Sequence, residues 1–415
     1  MSQGHRRRYL RPVAIGVGTA ALTGAVAMIS TFALAATTPD GSDTVGTLAA
    51  TTLYVATSGN DSNAGTLTAP LATVQKAVSL VSAGGTIAVR GGTYALTTNI
   101  QITKSGTSSA PITLTSYQSE RVVIDGEALA YTPGAVGSSI PSASRGAIHM
   151  EASYWKIIGL EIAHGPYALY CNACSNNTFE RLVTHDNYET GFQLQGASAN
   201  NLILNLDSYN NRDPRKNGES ADGLGIKEGS GTGNVVRGAR LWNNVDDGFD
   251  AWEFLSPITI DGSIAYGNGV NRWSIPNFSG DGNGFKLGGG DTATPGSHTV
   301  NNCMSYSNTA HGFTDNGNTG SITVKRSTAY KNTKTGFDFD GGSTSKLTAN
   351  LAVSNATAVT LGSSTASGNS WNIGGTWTLL STDASTITGA RTSTGAIASS
   401  NFLVPSNGQA VGAKI

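Results

Sequence analysis

Seven asparagines set the limits on how this chain can fold: Asn187, Asn211, Asn244, Asn268, Asn308, Asn332 and Asn355. Each stands two positions after the aromatic or aliphatic end of a short apolar run. Their spacings are 24, 33, 24, 40, 24 and 23 residues. A base period near 24 with two lengthened copies marks a solenoid, in which each repeat buries its apolar face only against its neighbours. One period has room for three short strands and three turns. An asparagine repeated at one turn can bond its amide to the backbone and amide of the next coil, forming a ladder. The frequency of Asn in turns does not account for seven copies in one register. Gly makes up 53 of 415 residues, and long amphipathic helical patterns are almost absent. The chain therefore reads as all-β, a parallel β-helix, right-handed by the chirality of parallel crossovers.

The same register locates two insertions. The Gly of the Gly-apolar pair stands four positions after the ladder Asn in the coils of Asn187, Asn244, Asn308 and Asn332; the offset is 12 after Asn211 and 16 after Asn268. Both longer loops leave the stack at one turn, on either side of the coil Asn243–Trp252. They are expected to wall a cleft over it, since sites are commonly carried by loops braced on a rigid scaffold.

Residues 1–35 read as a secretory signal peptide. Arg6, Arg7, Arg8 and Arg11 form a basic start, an uncharged run follows from Val13, and Ala33-Leu34-Ala35 has the small-x-small form of a cleavage site. The basic string also resembles a twin-arginine signal with His5 in place of Ser or Thr, so both export routes stay open; a retained anchor is the less favoured reading. Residues 36–52 are expected to be a disordered lead-in, and 53–415 a single β-helix domain, with about 356–415 finishing the stack and covering its end. The one helical pattern, Leu71, Val74, Ala77, Val78 and Val81, ends at Gly84-Gly85 and suits a short N-terminal cap. Without the four N-terminal arginines, 22 basic residues remain against 27 acidic, a formal charge of about −5. That excludes a nucleic-acid binder by bulk charge. Cys171 and Cys174 form a lone C-x-x-C and Cys303 stands apart, which suits a local disulfide or buried thiols rather than zinc.

The chemistry is concentrated in Asp246-Asp247-Gly248-Phe249-Asp250, three carboxylates within five residues where only 13% of residues are charged. Aligning coils at their Gly-apolar pairs puts Asp222 at the position of Asp247 and Lys286 at that of Asp250, with Thr314 and Asp338 further along. Side chains alternate along a strand, so Leu224, Phe249 and Phe285 point inward while Asp250 and Lys286 point out. Rungs lie roughly 4.8 Å apart, so Asp222, Asp246, Asp247 and Asp250 converge beside Lys286. Carboxylates this close repel unless protonated or joined by a cation. Hard oxygen ligands without His or Cys point to Ca²⁺ or Mg²⁺, and a flexible carboxylate cluster outside the cell favours Ca²⁺. A metal beside an exposed Lys suits β-elimination in a uronic acid polymer: the ion neutralises the carboxylate, and a base removes the C5 proton.

Four strings carry a resemblance: Asn211-Arg212-Asp213-Pro214, Gly218-Glu219-Ser220-Ala221-Asp222-Gly223, Trp242 to Trp252, and Gly282-Asn283-Gly284-Phe285-Lys286-Leu287-Gly288-Gly289. They are similar to those of the family 9 polysaccharide lyases, over about Leu53 to residue 355. The resemblance implies a secreted pectate lyase with calcium ligands at Asp222, Asp246, Asp247 and Asp250 and a general base at Lys286. Leu224 replaces the Phe common in the family motif.

Further candidates have two readings each. Lys227 binds a sugar carboxylate or belongs to a solvated face. Arg212, Arg215 and Lys216 in the first insertion and Arg272 in the second would grip an anionic chain, and Trp273 would stack on a sugar, or all five are ordinary surface. His185, His298 and His311 read as surface or ladder-capping histidines, and Asp338 and Asp340 as a solvated face. The expected protein is a monomer acting on polygalacturonate, free of membrane once its signal is removed. The rival readings are a lyase for rhamnogalacturonan or alginate, a hydrolase using Asp246 and Asp247 across a glycosidic bond, and a non-catalytic binder.

Overall fold

Every strand pairing within the three sheets is parallel, and beyond the first pair, Thr52–Val55 with Thr86–Val89, each strand is joined to its counterpart one coil away rather than to its sequence neighbour. The structure, a computed structural model, describes residues 51–290 and 295–415. The expected signal peptide and nearly all of the lead-in lie outside the described residues; Thr52 already begins the first strand, Thr52–Val55. The sheets hold 12, 10 and 10 described strands. Together they form the right-handed parallel β-helix that the repeat implied.

Strand alternation fills the interior. On one face, here called the site sheet, Phe192, Leu224, Phe249, Phe285, Phe313 and Phe337 lie in register and are all fully buried. The Phe285, Phe313 and Phe337 rings stack at 5.0 Å each. Leu224 keeps its inward place without a ring. The residues one step on in each strand form an outward row: Gln193, Gly225, Asp250, Lys286, Thr314, Asp338 and Thr360.

The asparagine ladder runs as expected. Each Nδ2 donates to the next Oδ1 at 2.8–3.0 Å, from Asn187 through to Asn355. These side chains are buried or nearly so, so each bond spares an amide the cost of losing water. A second ladder links Asn177, Asn201 and Asn234 at 3.1 and 3.0 Å. Its spacings of 24 and 33 repeat those of the first, because both ladders follow the length of the same coils. The residues two before the first ladder form an external stack. His185, Tyr209, Trp242, Tyr266 and Tyr306 follow one another at 4.9, 4.3, 5.8 and 4.8 Å.

The helix Val74–Leu80 is capped by Thr73, whose side chain accepts from Lys76 N, and it buries Val74, Ala77 and Val78. At the far end only residues 357–373 behave as terminal coil and cap. The strands Thr357–Thr360 and Thr365–Ser367 finish the stack, and Trp371 of the helix Ser370–Ile373 covers the Phe337 ring at 5.2 Å. From there the chain turns back along the outside of the aromatic flank as a strap. Phe402 meets Tyr306 edge-on at 5.2 Å, and Ile387, Leu403 and Ala413 bury against Ile264, Met304 and Tyr330. Arg391 of the strap reaches Asp207, which also pairs with Arg240, both at 2.6 Å. Cys171 and Cys174 are joined as a disulfide, and Cys303 is a buried thiol.

Candidate active site

The site sheet delivers the acidic cluster. Asp222 precedes the strand Leu224–Ser230, Asp246 and Asp247 precede Phe249–Asp250, and Lys286 closes Phe285–Lys286. Asp250 and Lys286 are direct partners across two coils. All four aspartates are at most 2% exposed. One carboxylate oxygen from each of Asp222, Asp247 and Asp250 falls in a set no more than 4.8 Å apart, and Asp246, Asp247 and Asp281 form a second such set.

The two lysines lie among these acids. Lys227 Nζ bridges Asp222 Oδ2 at 2.6 Å and Asp250 Oδ2 at 2.7 Å. Lys286 Nζ lies 2.7 Å from Asp281 Oδ2, 3.2 Å from Asp247 Oδ2 and 3.8 Å from Asp250 Oδ2, with the Trp252 ring 5.2 Å away. Neutral donors orient the carboxylates. Asn283 donates its N and Nδ2 to Asp247 Oδ1 at 2.6 and 2.9 Å, Asp281 N donates to Asp246 Oδ1 at 2.7 Å, and Thr190 Oγ1 donates to Asp222 Oδ2 at 3.0 Å.

Burial and mutual repulsion strain this arrangement. Burial first, then the charges of Asp247 and Asp222, push the Asp246 carboxyl well above its ordinary range. Burial also raises Asp247, to about 7, against the opposing pull of Lys286. Burial disfavours the Lys286 ammonium, but Asp247, Asp250, Asp246 and Asp281 outweigh it and hold the proton on more tightly than usual.

The cluster suits a hard cation. Two oxygens bound to one Ca²⁺ at 2.3–2.6 Å lie at most about 5 Å apart, which matches the separation within each set. Asp247 Oδ2 is buried without a hydrogen bond, 3.2 Å from the Lys286 ammonium. An all-carboxylate donor set without His or Cys suits hard divalent cations, calcium and magnesium among them.

The two insertions close over this floor as one body. Ser279 N donates to Asn217 O at 2.9 Å, and Ala221, Val245 and Ile275 form a small buried cluster with Phe278 against it. The cleft measures about 330 Å³. Lys216, Glu219 and Ser220 line it from the first insertion, Ser279 and Asp281 from the second, and Lys227, Glu228, Asp246, Asp250, Trp252 and Lys286 from the sheet.

The other candidates fall in varied places. Lys227 is 8% exposed and ion-paired, so the solvated-face reading is wrong. Arg215 is neither a substrate grip nor surface: it is buried against Glu189, which is 0% exposed, and donates to Ser138 O. Its guanidinium lies under the insertion because the loop folds inward there. Arg212 lies between two rings, 4.2 Å from Tyr188 and 4.3 Å from Trp273, so Trp273 already stacks on a cation. Trp273 remains 38% exposed. Arg272 is exposed, donates to Gly267 O at 2.9 Å and does not line the cleft.

Among the histidines, His185 pairs with Glu161 and Asp186, and His298 is fully buried, capping Ile258 N, with burial pushing it down to about 4. Asp340 is exposed, but Asp338 is not a bare solvated acid. It accepts from Thr314 and Thr360 at 3.0 and 2.6 Å, one coil to either side.

Sequence reasoning missed Asp281, Asn283 and Trp252 as site residues. Asp281 lies five residues before Lys286, inside the second insertion, where the coil alignment has no counterpart to compare.

A family model described as Pel9A-like, right-handed β-helix region, matches residues 53–356. The chain is 50% identical to pectate lyase PEL9 of Emericella nidulans over 327 residues, 74% of this chain and 80% of that one. It is 35% identical to pectate lyase L of Dickeya dadantii over 272 residues, 64% of this chain and 61% of that one. The crystal structure of pectate lyase Pel9A superposes with a TM-score of 0.76 at 32% identity, covering 86% of this chain and 89% of that one. A rhamnogalacturonan lyase superposes with a TM-score of 0.72 at 25% identity, covering 86% and 96%.

Proposed function

The chain belongs to the Pel9A-like right-handed β-helix family, and from that premise we propose that it is an exported, calcium-dependent pectate lyase that cleaves polygalacturonate by β-elimination. The observation that carries this reading is the convergence of Asp222, Asp247 and Asp250 on one point with Lys286 at its edge. Relatives named as pectate lyases support the substrate class. Export rests on the Arg6–Arg8 string and the run that follows it.

Asp222, Asp246, Asp247 and Asp250 would hold the calcium. When bound, it supplies the positive charge that neutralises a uronate carboxylate and makes the neighbouring C–H bond more acidic. Lys286 removes the C5 proton, the electron pair left at C5 forms the C4–C5 double bond, and the C4 glycosidic oxygen leaves with the pair of the broken C4–O bond and takes up a proton from water. Lys286 must be unprotonated to do so, yet the same carboxylates hold its proton on. Their negative charge cannot serve the ammonium and a divalent ion at full strength together. Base function is therefore tied to metal occupancy. Asn283 keeps one oxygen of Asp247 engaged, so that the other faces Lys286. The two insertions wall the cleft and thin the water around the base.

The rhamnogalacturonan lyase superposition favours one alternative, the same elimination on a backbone with alternating sugars. The hydrolase reading gives Lys286 no role. Incubation with polygalacturonate, following the ultraviolet absorbance of the 4,5-unsaturated product, separates these. Absorbance that rises with calcium and stops with excess chelator is expected. Reducing ends released without absorbance would replace the lyase with a hydrolase. Absorbance only on rhamnogalacturonan would change the substrate and keep the chemistry.

A further inference from the structure

Lys227 belongs to the strand Leu224–Ser230, and its alternation would send it outward two positions beyond Gly225. It instead folds back over Gly225, the one glycine in the outward row beside Asp250. A Cβ built at Gly225 would come within 3.0 Å of Lys227 Cε. The absent side chain leaves a channel for the lysine stem. The ammonium ends between Asp222 and Asp250, two of the three carboxylates that converge on one point. Its distances of 2.6 and 2.7 Å are those of charge-assisted hydrogen bonds. The residue is 8% exposed, so solvent screens these pairs little.

We propose that Lys227 is a built-in counter-cation of the metal site: its ammonium neutralises Asp222 and Asp250 when the metal is absent and competes with calcium for the same oxygens. This rests on the calcium reading above and adds a residue to it. Four buried aspartates with only Lys286 beside them would repel one another strongly. A second ammonium lets the cluster fold before any metal arrives. The cost is affinity, because the divalent ion must displace or share the lysine's partners. Lys227 is thus a positioning residue that sets how tightly calcium is held, distinct from Lys286 as the base.

Titration calorimetry of the mature, metal-free protein with calcium chloride tests this, alongside thermal unfolding with and without the ion. Lys227→Gln is expected to bind calcium at least about tenfold more tightly than the unsubstituted protein, since one buried cation no longer opposes the ion. Its metal-free form is expected to unfold at a lower temperature, and calcium to raise that temperature by more than in the parent. An equal or weaker calcium affinity, or a metal-free variant as stable as the parent, would overturn the proposal. Should Lys227→Gln fail to fold even with calcium, Lys227→Arg decides. The larger, always-charged guanidinium is expected to weaken calcium binding about tenfold, and an unchanged or tighter affinity would overturn the proposal. If the parent protein binds no calcium, the metal reading itself falls and this inference with it; binding with no effect of Lys227 removes the inference alone.

Discussion

Asp281 Oδ2 lies 2.7 Å from Lys286 Nζ while its own side chain stays 54% exposed. It is the one acid around the base that meets solvent, and it arrives on an insertion rather than on the repeat. Asp281→Asn removes one of the four carboxylates that raise the Lys286 pKa. A base with a lowered pKa is unprotonated at lower pH. The rising limb of the pH–rate profile should therefore move down by about half a unit to one unit, discounted for solvent screening. A limb that stays in place would separate Asp281 from the base.

The metal-free cluster makes stability pH-dependent in an unusual direction. Asp247 is pushed up to about 7, and burial raises Asp246 too, so the folded protein binds more protons than the unfolded chain between about pH 4 and 7. Stability falls as pH rises through that window. Calcium should reverse the trend by holding the carboxylates ionised. Melting temperature against pH, in chelator and in calcium, reads this directly; parallel curves would argue against a shared site.

Arg215 and Trp273 were equal candidates for holding substrate; the structure buries Arg215 and leaves Trp273 exposed with its ring against Arg212, so a substrate contact by Trp273 is a matter for experiment. Arg215→Ala leaves Glu189 as a buried, uncompensated charge and should cost about 3–5 kcal/mol of stability. Trp273→Ala removes a half-exposed ring and should leave the melting temperature nearly unchanged. It should raise KM severalfold with little effect on kcat. Urea unfolding and steady-state kinetics on both variants check the contrast.

The strap is held by one acid between two arginines. Asp207→Asn leaves Arg240 and Arg391 without their carboxylate partner and should destabilise the protein by about 3 kcal/mol. It should also open residues 374–415 to limited proteolysis before the coils unfold. Burial would raise the Asp207 pKa, but the two arginines outweigh it and lower it. Its contribution is therefore complete above the ordinary carboxylate range and disappears as pH falls through the depressed folded value. A strap as resistant to protease as the parent's would show that the apolar contacts of Phe402 and Leu403 suffice.

The sequence by itself determined the repeat and everything in phase with it. The asparagine ladder, the inward Phe column and the outward Asp250–Lys286 pair all follow from a constant period, because in a stacked fold equal sequence spacing means equal position in space. Asp222, Asp246, Asp247 and Asp250 were found for that reason. What the period does not govern, only the tertiary structure decided. Asp281 lies in the longest insertion, where no neighbouring coil supplies a register; Asn283 stands in phase with Asp222 and Asp247, one place before its Gly, but its two bonds to Asp247 Oδ1 are decided by the fold. Arg215 folds under its loop, Arg212 lies between Tyr188 and Trp273, and Lys227 turns back over a glycine, because long side chains choose partners by charge and available volume rather than by strand direction. The strap after residue 373 has no repeat at all. Its place follows from the apolar edges of Tyr306 and Tyr330 and from the charge of Asp207, none of which lies near it in sequence.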